Sequence, residues 1–162
     1  MEIMLKWLFQ IAAALPLPVL HGLGNALGWV MYGVLGEDRR RIRRHLRQAG
    51  LPHGWRDVLR VCQETVKSGL ELPVAFFRQP EKIVALFREV HGWQHIQAAL
   101  NASEGLLLIT PHIGSYDLAG RYISEQLPFA LTAMYKPPKI KMFDAIMQAG
   151  RVRGKGRTCL LY

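Results

Sequence analysis

Cysteine is nearly absent. Cys62 and Cys159 stand far apart and in no Cys-x-x-Cys or Cys/His spacing, which argues against a disulfide framework, a redox dithiol or a zinc module and permits a reducing, cytosol-facing location. Acidic residues are also scarce: 12 Asp and Glu face 21 Lys and Arg, for a net charge of +9 on a chain that is half hydrophobic. Such a chain suits an anionic partner, namely membrane lipid, an acidic protein or nucleic acid. The absence of helix-turn-helix, zinc-finger and RNP-type motifs speaks against nucleic acid. Also missing is a Gly-x-Ser-x-Gly elbow, which removes the main support for an acyl-serine intermediate.

Charge is missing altogether from Trp7 to Gly36, yet Pro16 and Pro18 divide that run. The piece before the prolines is too short to span a bilayer, and Val19 to Leu35 is marginal at about 1.5 Å per residue. A membrane anchor and an apolar pair of core helices both fit these residues. A cleaved signal peptide fits less well, because apolar sequence resumes after Pro18. Gly24 and Gly28, spaced Gly-xxx-Gly, permit close helix packing.

Six arginines follow between Arg39 and Arg47. Beside an apolar segment they favour the cytoplasmic side and anionic headgroups; the same pattern also suits a solvated helix face with Ile42 and Leu46 turned inward. Gly50 and Leu51-Pro52 end this helix. Val58, Leu59, Cys62, Val66 and Leu70 then recur at helical spacing, predicting a helix from Trp55 to about Arg78 with a possible kink at Pro73. Helices are further predicted at Glu81 to Phe87 and Trp93 to Leu100, with a short strand at Arg88 to Gly92. His91 and His95 are four apart, but Gly92 breaks any helix joining them and no third ligand is evident, so no metal site is assigned.

The most informative stretch is Gly105 to Asp117, GLLLITPHIGSYD. Leu106 to Ile109 form a continuous apolar run of strand length between Gly105 and Pro111, as in a strand buried on both faces. His112 then lies just past its carboxyl end, where ligand sites collect in open α/β sheets. Gly114 and Ser115 read as turn and N-cap, and Tyr116 to Gln126 as a helix with Leu118, Tyr122 and Ile123 on one face. His112 is the one histidine with an acid five residues later, where composition predicts about 0.4 such pairs. His112 and Asp117 can therefore be a base and its orienting carboxylate, or a loop residue and a first-turn acid favoured by the helix dipole. Phe129 to Tyr135 predicts a second strand, parallel to the first through a right-handed crossover, and Ile140 to Gln148 a helix ended by Gly150. The fold class is accordingly α/β with parallel strands. GRVRGKGR, from Gly150 to Arg157, sets four cations among glycines: an anion grip of guanidinium forks and amides, or a basic tail.

PHIGSYDLAG with GRVRGKGR downstream, the RRRIRRHL cluster and the VHGWQHIQAAL-x4-GLLLI lead-in resemble the lipid A biosynthesis lauroyl/myristoyl acyltransferases of Gram-negative bacteria, through almost the whole chain. His45 stands where that family usually has Asn. The resemblance implies an inner-membrane protein whose active site faces the cytoplasm and which moves an acyl chain from acyl carrier protein to a hydroxyl of a lipid A precursor, with no cofactor and no metal. It places the catalytic pair on His112 and Asp117 and a substrate-binding cation on Arg151, with Arg153 beside it; Lys136, which leaves the second predicted strand on the same edge as His112, is a further candidate for that binding role. It divides the chain into a membrane-anchoring segment (1–36), a basic helical region (37–100) and the first half of an α/β acyltransferase core (101–162). Family members continue for roughly as much sequence again, so this chain is expected to be an amino-terminal portion, inactive and poorly stable alone. Another glycolipid or phospholipid acceptor, or a non-catalytic membrane-binding role, are the alternatives.

Overall fold

Two prolines set the architecture of the amino-terminal part. Pro16 disfavours helix at the residue before it, so α1 (Glu2–Ala14) stops and α2 (Leu17–Val34) begins with a proline in its first turn, where no amide hydrogen is needed. The computed structural model describes residues 2–136, 141–152 and 156–160, and its contacts group into two compact units, Met1–Phe77 and Arg78–Tyr162.

The first unit is helical. Leu35 interrupts α2 and leads directly into α3 (Gly36–Gln48), whose Glu37 and Asp38 sit at the positive end of the helix dipole and whose His45 and Arg47 sit at the negative end. Arg41 is paired with Asp38 one turn away. The long helix α4 (Trp55–Phe77) carries the unit, burying Val58, Leu59 and Cys62 on one face. It continues through Pro73, itself buried, to Phe77. Helix α2 approaches α4 so closely at Gly24 and Gly28 that a β-carbon at either position would come within 2.6 Å of Lys67 or Gln63. One turn earlier, His21 Nε2 lies 2.6 Å from Glu71 Oε1. Helix α1 meets the far end of α4 through an edge-to-face contact of Phe9 with Phe77, at 6.0 Å between ring centroids.

The second unit contains the short helix α5 (Pro80–Val84), α6 (Trp93–Asn101), α7 (Tyr116–Gln126), β1 (Thr132–Tyr135), α8 (Lys141–Arg151) and β2 (Arg157–Leu160). Ile83 of α5 is fully buried, and the Tyr122 ring of α7 lies 4.4 Å from Phe87 and 6.2 Å from Trp93. Strands β1 and β2 pair in parallel, Thr132 opposite Arg157 and Tyr135 opposite Leu160, with α8 as the connection. The described chain is thus mostly helical with one small parallel sheet, and its α/β character is partial.

Several local expectations are corrected. Leu106 to Ile109 form no strand: the segment is irregular, with Leu107 81% and Ile109 88% exposed. A strand buried on both faces needs neighbours at its edges, and among the described residues β1 pairs with β2 and no strand pairs with this run. The parallel crossover therefore runs from β1 through α8 to β2. Residues 88–92 form no strand; Gly92, at their end, adopts a left-handed conformation (φ +81°) at the N-cap of α6. Helix α8 runs through Gly150 to Arg151. In α7 the buried face holds Leu118, Arg121 and Ser124, because Arg121 is neutralised by Glu125 one turn on, at 2.7 Å. Among the described residues no single helix is long and apolar enough to cross a membrane; α1 and α2 reach that hydropathy only together, bent by 117°.

Candidate active site

The turn before α7 is built by three residues. The Ile113 amide donates to the Pro111 carbonyl at 2.9 Å, an i to i+2 closure that bends the chain at His112. Gly114 follows with φ +61°, a conformation that favours glycine. Ser115 then caps α7 by position, without a side-chain hydrogen bond. His112 is consequently exposed at the tip of the turn, its ring 4.5 Å from that of Tyr116 and tilted by 57°.

Asp117 sits in the first turn of α7, where the helix dipole favours a carboxylate. Its Oδ1 lies 3.6 Å from Nη2 of Arg151, the last residue of α8, and both side chains are largely buried. The Arg151 guanidinium also lies over the ring of Tyr135, 5.2 Å from its centroid. Tyr135 ends β1, and its hydroxyl donates to Asp144 Oδ1 at 3.3 Å while Gln148 Nε2 donates to Asp144 Oδ2 at 3.1 Å. A strand end, a helix start and a helix end thus converge on one polar cluster.

Two phenols are tuned by this cluster. Burial, followed by the adjacent Asp117 carboxylate, pushes the Tyr116 hydroxyl above the usual tyrosine range, with Arg151 opposing. Burial and then the Asp144 carboxylate do the same for Tyr135. Both therefore remain neutral donors at ordinary pH.

Of the residues singled out from sequence, the structure brings Asp117 and Arg151 together and sets His112 against Tyr116, the neighbour of Asp117. No hydrogen bond or ion pair joins His112 to Asp117 among the described residues. Lys136 follows β1 and is exposed. Arg153 lies outside the described residues. The Ile113 amide is engaged by Pro111, which leaves the first amides of α7 as the open ones at this turn. Glu89 lies 3.4 Å from His91, and the described residues contain no group of three or more His, Cys, Asp or Glu placed to hold a metal. Sequence reasoning passed over Tyr116, Tyr135, Asp144 and Gln148. A signal for part of this set was present: Asp144, Gln148 and Arg151 recur at i, i+4 and i+7, a polar stripe on one face of a helix.

Residues 3–159 match the family described as bacterial lipid A biosynthesis acyltransferase. A lipid A biosynthesis acyltransferase from Haemophilus influenzae is 27% identical over 162 residues, covering 91% of this chain and 50% of the relative. A lipid A biosynthesis lauroyltransferase from Escherichia coli is 26% identical over 157 residues, covering 92% of this chain and 50% of the relative. The chain thus spans about half the length of the curated relatives it matches. No solved structure matches it.

Proposed function

The chain belongs to the bacterial lipid A biosynthesis acyltransferase family, and from that premise we propose that it provides the catalytic pair of an enzyme moving a fatty acyl group from acyl carrier protein to a hydroxyl of a lipid A precursor. His112 is the general base. Its Nε2 takes the proton of the acceptor hydroxyl as that oxygen attacks the thioester carbonyl. Collapse of the tetrahedral intermediate forms the ester, and the imidazolium returns the proton to the departing thiolate, so no external reactant is required.

Asp117 stabilises the imidazolium from the helix start. A carboxylate offers about four acceptor sites, so its pairing with Arg151 through one oxygen is compatible with receiving the His112 Nδ1–H through the other. Catalytic hydrogen bonds are often long before substrate binds, which accommodates a His112 ring that rests on Tyr116 in the free chain. The first amides of α7 meet the developing oxyanion. Arg151, with Arg153 and Lys136, grips an anionic group of a substrate, and the enzyme works at the cytoplasmic face of the inner membrane.

The observation that carries this reading is the family match across residues 3–159, with the Asp117–Arg151 ion pair joining two of the expected functional residues. Lipid A from cells lacking their own acyltransferase provides the test, with this chain joined to the rest of the Escherichia coli relative in place of the residues it matches. Mass spectrometry should show one added acyl chain, and His112→Ala should slow its addition by about 10²- to 10⁴-fold. An equally active His112→Ala protein overturns the assignment.

A further inference from the structure

Helices α1 and α2 are apolar on two faces. One face of each packs on α4 through Phe9, Ala13, Leu20, Gly24 and Gly28. The other is open. On α1 the exposed residues Met4, Trp7, Leu8 and Ile11 fall at i, i+3, i+4 and i+7, and on α2 Val19, Leu23, Leu27, Val30 and Val34 form an equally regular stripe. A helix that is apolar all round normally lies inside a core or a membrane; here half of that surface faces outward.

Charge identifies what covers it. The open stripe of α2 runs directly into α3, where Arg40, Arg41, Arg43, Arg44 and Arg47 are exposed and no acid follows Asp38 until Asp57. Where α2 nears these arginines an aromatic cluster lies alongside the stripe. Trp29 is 6.4 Å from both Tyr32 and Trp55, with Arg39 over the Tyr32 ring and Arg56 over Trp55. Half-exposed tryptophans between apolar and cationic surface are the signature of the headgroup level of a bilayer, and clustered arginines match anionic headgroups.

The contact between α2 and α4 decides the orientation. Along its closest approach α2 meets polar groups at every turn: His21 on Glu71, Gly24 on Lys67, Gly28 on Gln63, with Lys67 itself paired to Glu64 at 2.8 Å. A spanning α2 would carry those side chains into hydrocarbon, where a charged group such as Lys67 or Glu71 costs on the order of a hundredfold in insertion. At about 27 Å, α2 would also barely reach across.

Resting on the membrane association proposed above, we infer that α1 and α2 do not span the bilayer but lie in the plane of one anionic leaflet, their open stripes in the upper acyl region, α4 on the water side and the α3 arginines among the headgroups. The two helices act as an interfacial platform. In-plane helices of this kind sink their apolar face roughly 5–10 Å below the headgroups.

Single cysteines at the exposed positions Leu8, Val19, Leu27 and Val34, in a full chain with Cys62 and Cys159 replaced by alanine, would carry a fluorophore. Its quenching by lipids labelled at different acyl depths is then read in phosphatidylcholine vesicles with and without phosphatidylglycerol. All four sites should report the same shallow depth. Partition should need the anionic lipid and fall roughly fivefold for each α3 arginine changed to glutamine. Leu27→Glu, on the open stripe, should weaken partition without shifting thermal unfolding. A depth gradient of about 22 Å from Val19 to Val34 would overturn the in-plane placement while leaving membrane association intact. Vesicles that capture no protein would overturn both.

Discussion

Arg151 closes α8 with its guanidinium 3.6 Å from the carboxylate of Asp117 in the first turn of α7. The pair ties the negative end of one helix to the positive end of another, so each charge is favoured by its own helix dipole as well as by its partner. The same guanidinium covers the Tyr135 ring, which fixes the end of β1 beside it. One arginine therefore couples a strand and two helices around the turn that presents His112.

Replacing Arg151 separates charge from shape. Arg151→Lys keeps a positive charge but loses the planar fork and the stacking on Tyr135. In the joined protein that tests the proposed function, acyl transfer should then fall by about ten- to a hundredfold, the worth of one charge-assisted hydrogen bond. Arg151→Ala should in addition lower unfolding stability by about 1–3 kcal/mol, since the Asp117 carboxylate is left largely buried without its cation. Unchanged kinetics of the lysine variant would show that charge alone matters at this position.

Asp117→Asn preserves volume and removes the charge that both Arg151 and Tyr116 feel. Turnover should drop, and the Tyr116 hydroxyl, pushed up in part by this carboxylate, should titrate at lower pH in an ultraviolet absorbance titration. Asp117→Glu keeps a carboxylate and should retain most activity. A tyrosine titration identical in the Asn variant and the parent would mean that Asp117 does not act on Tyr116.

Stability should decline in strong alkali for a specific reason. The Tyr116 and Tyr135 phenols are both raised by burial and a neighbouring carboxylate, so the folded state holds their protons when the unfolded chain has released them. Their contribution is full below the ordinary tyrosine value of about 10 and is lost as pH rises through the higher folded values. Urea unfolding on either side of that value should show the decline, and Tyr116→Phe with Tyr135→Phe should flatten it relative to the parent.

Glycines of α2 should respond to alanine according to what lies above them. At Gly28 a β-carbon would sit 2.6 Å from the Gln63 backbone, so Gly28→Ala should destabilise by about 1–3 kcal/mol through overpacking. Gly22 and Gly33 have open space. There alanine should stabilise the helix by about 0.5–1 kcal/mol. Thermal unfolding of the three variants checks the contrast, and equal shifts would disprove the close α2–α4 contact.

Helices were legible in the sequence where one local rule acts. Pro16 and Pro18 placed the α1–α2 break, the apolar repeat from Val58 to Leu70 outlined α4, and Gly114-Ser115 marked the start of α7. Those signals depend on neighbours three or four residues away, which the sequence contains. Strands depend on partners far along the chain. The apolar run from Leu106 to Ile109 has strand composition, yet pairing is what makes a strand, and β1 took β2 as its partner. His112 and Asp117 were legible as a spacing at a turn. That Asp117 would face Arg151, that Tyr116 would lie beside His112, and that Gly24 and Gly28 would pack on polar residues of α4 were decided only by tertiary structure, because helix-to-helix distances and burial are set by the whole unit rather than by any local stretch.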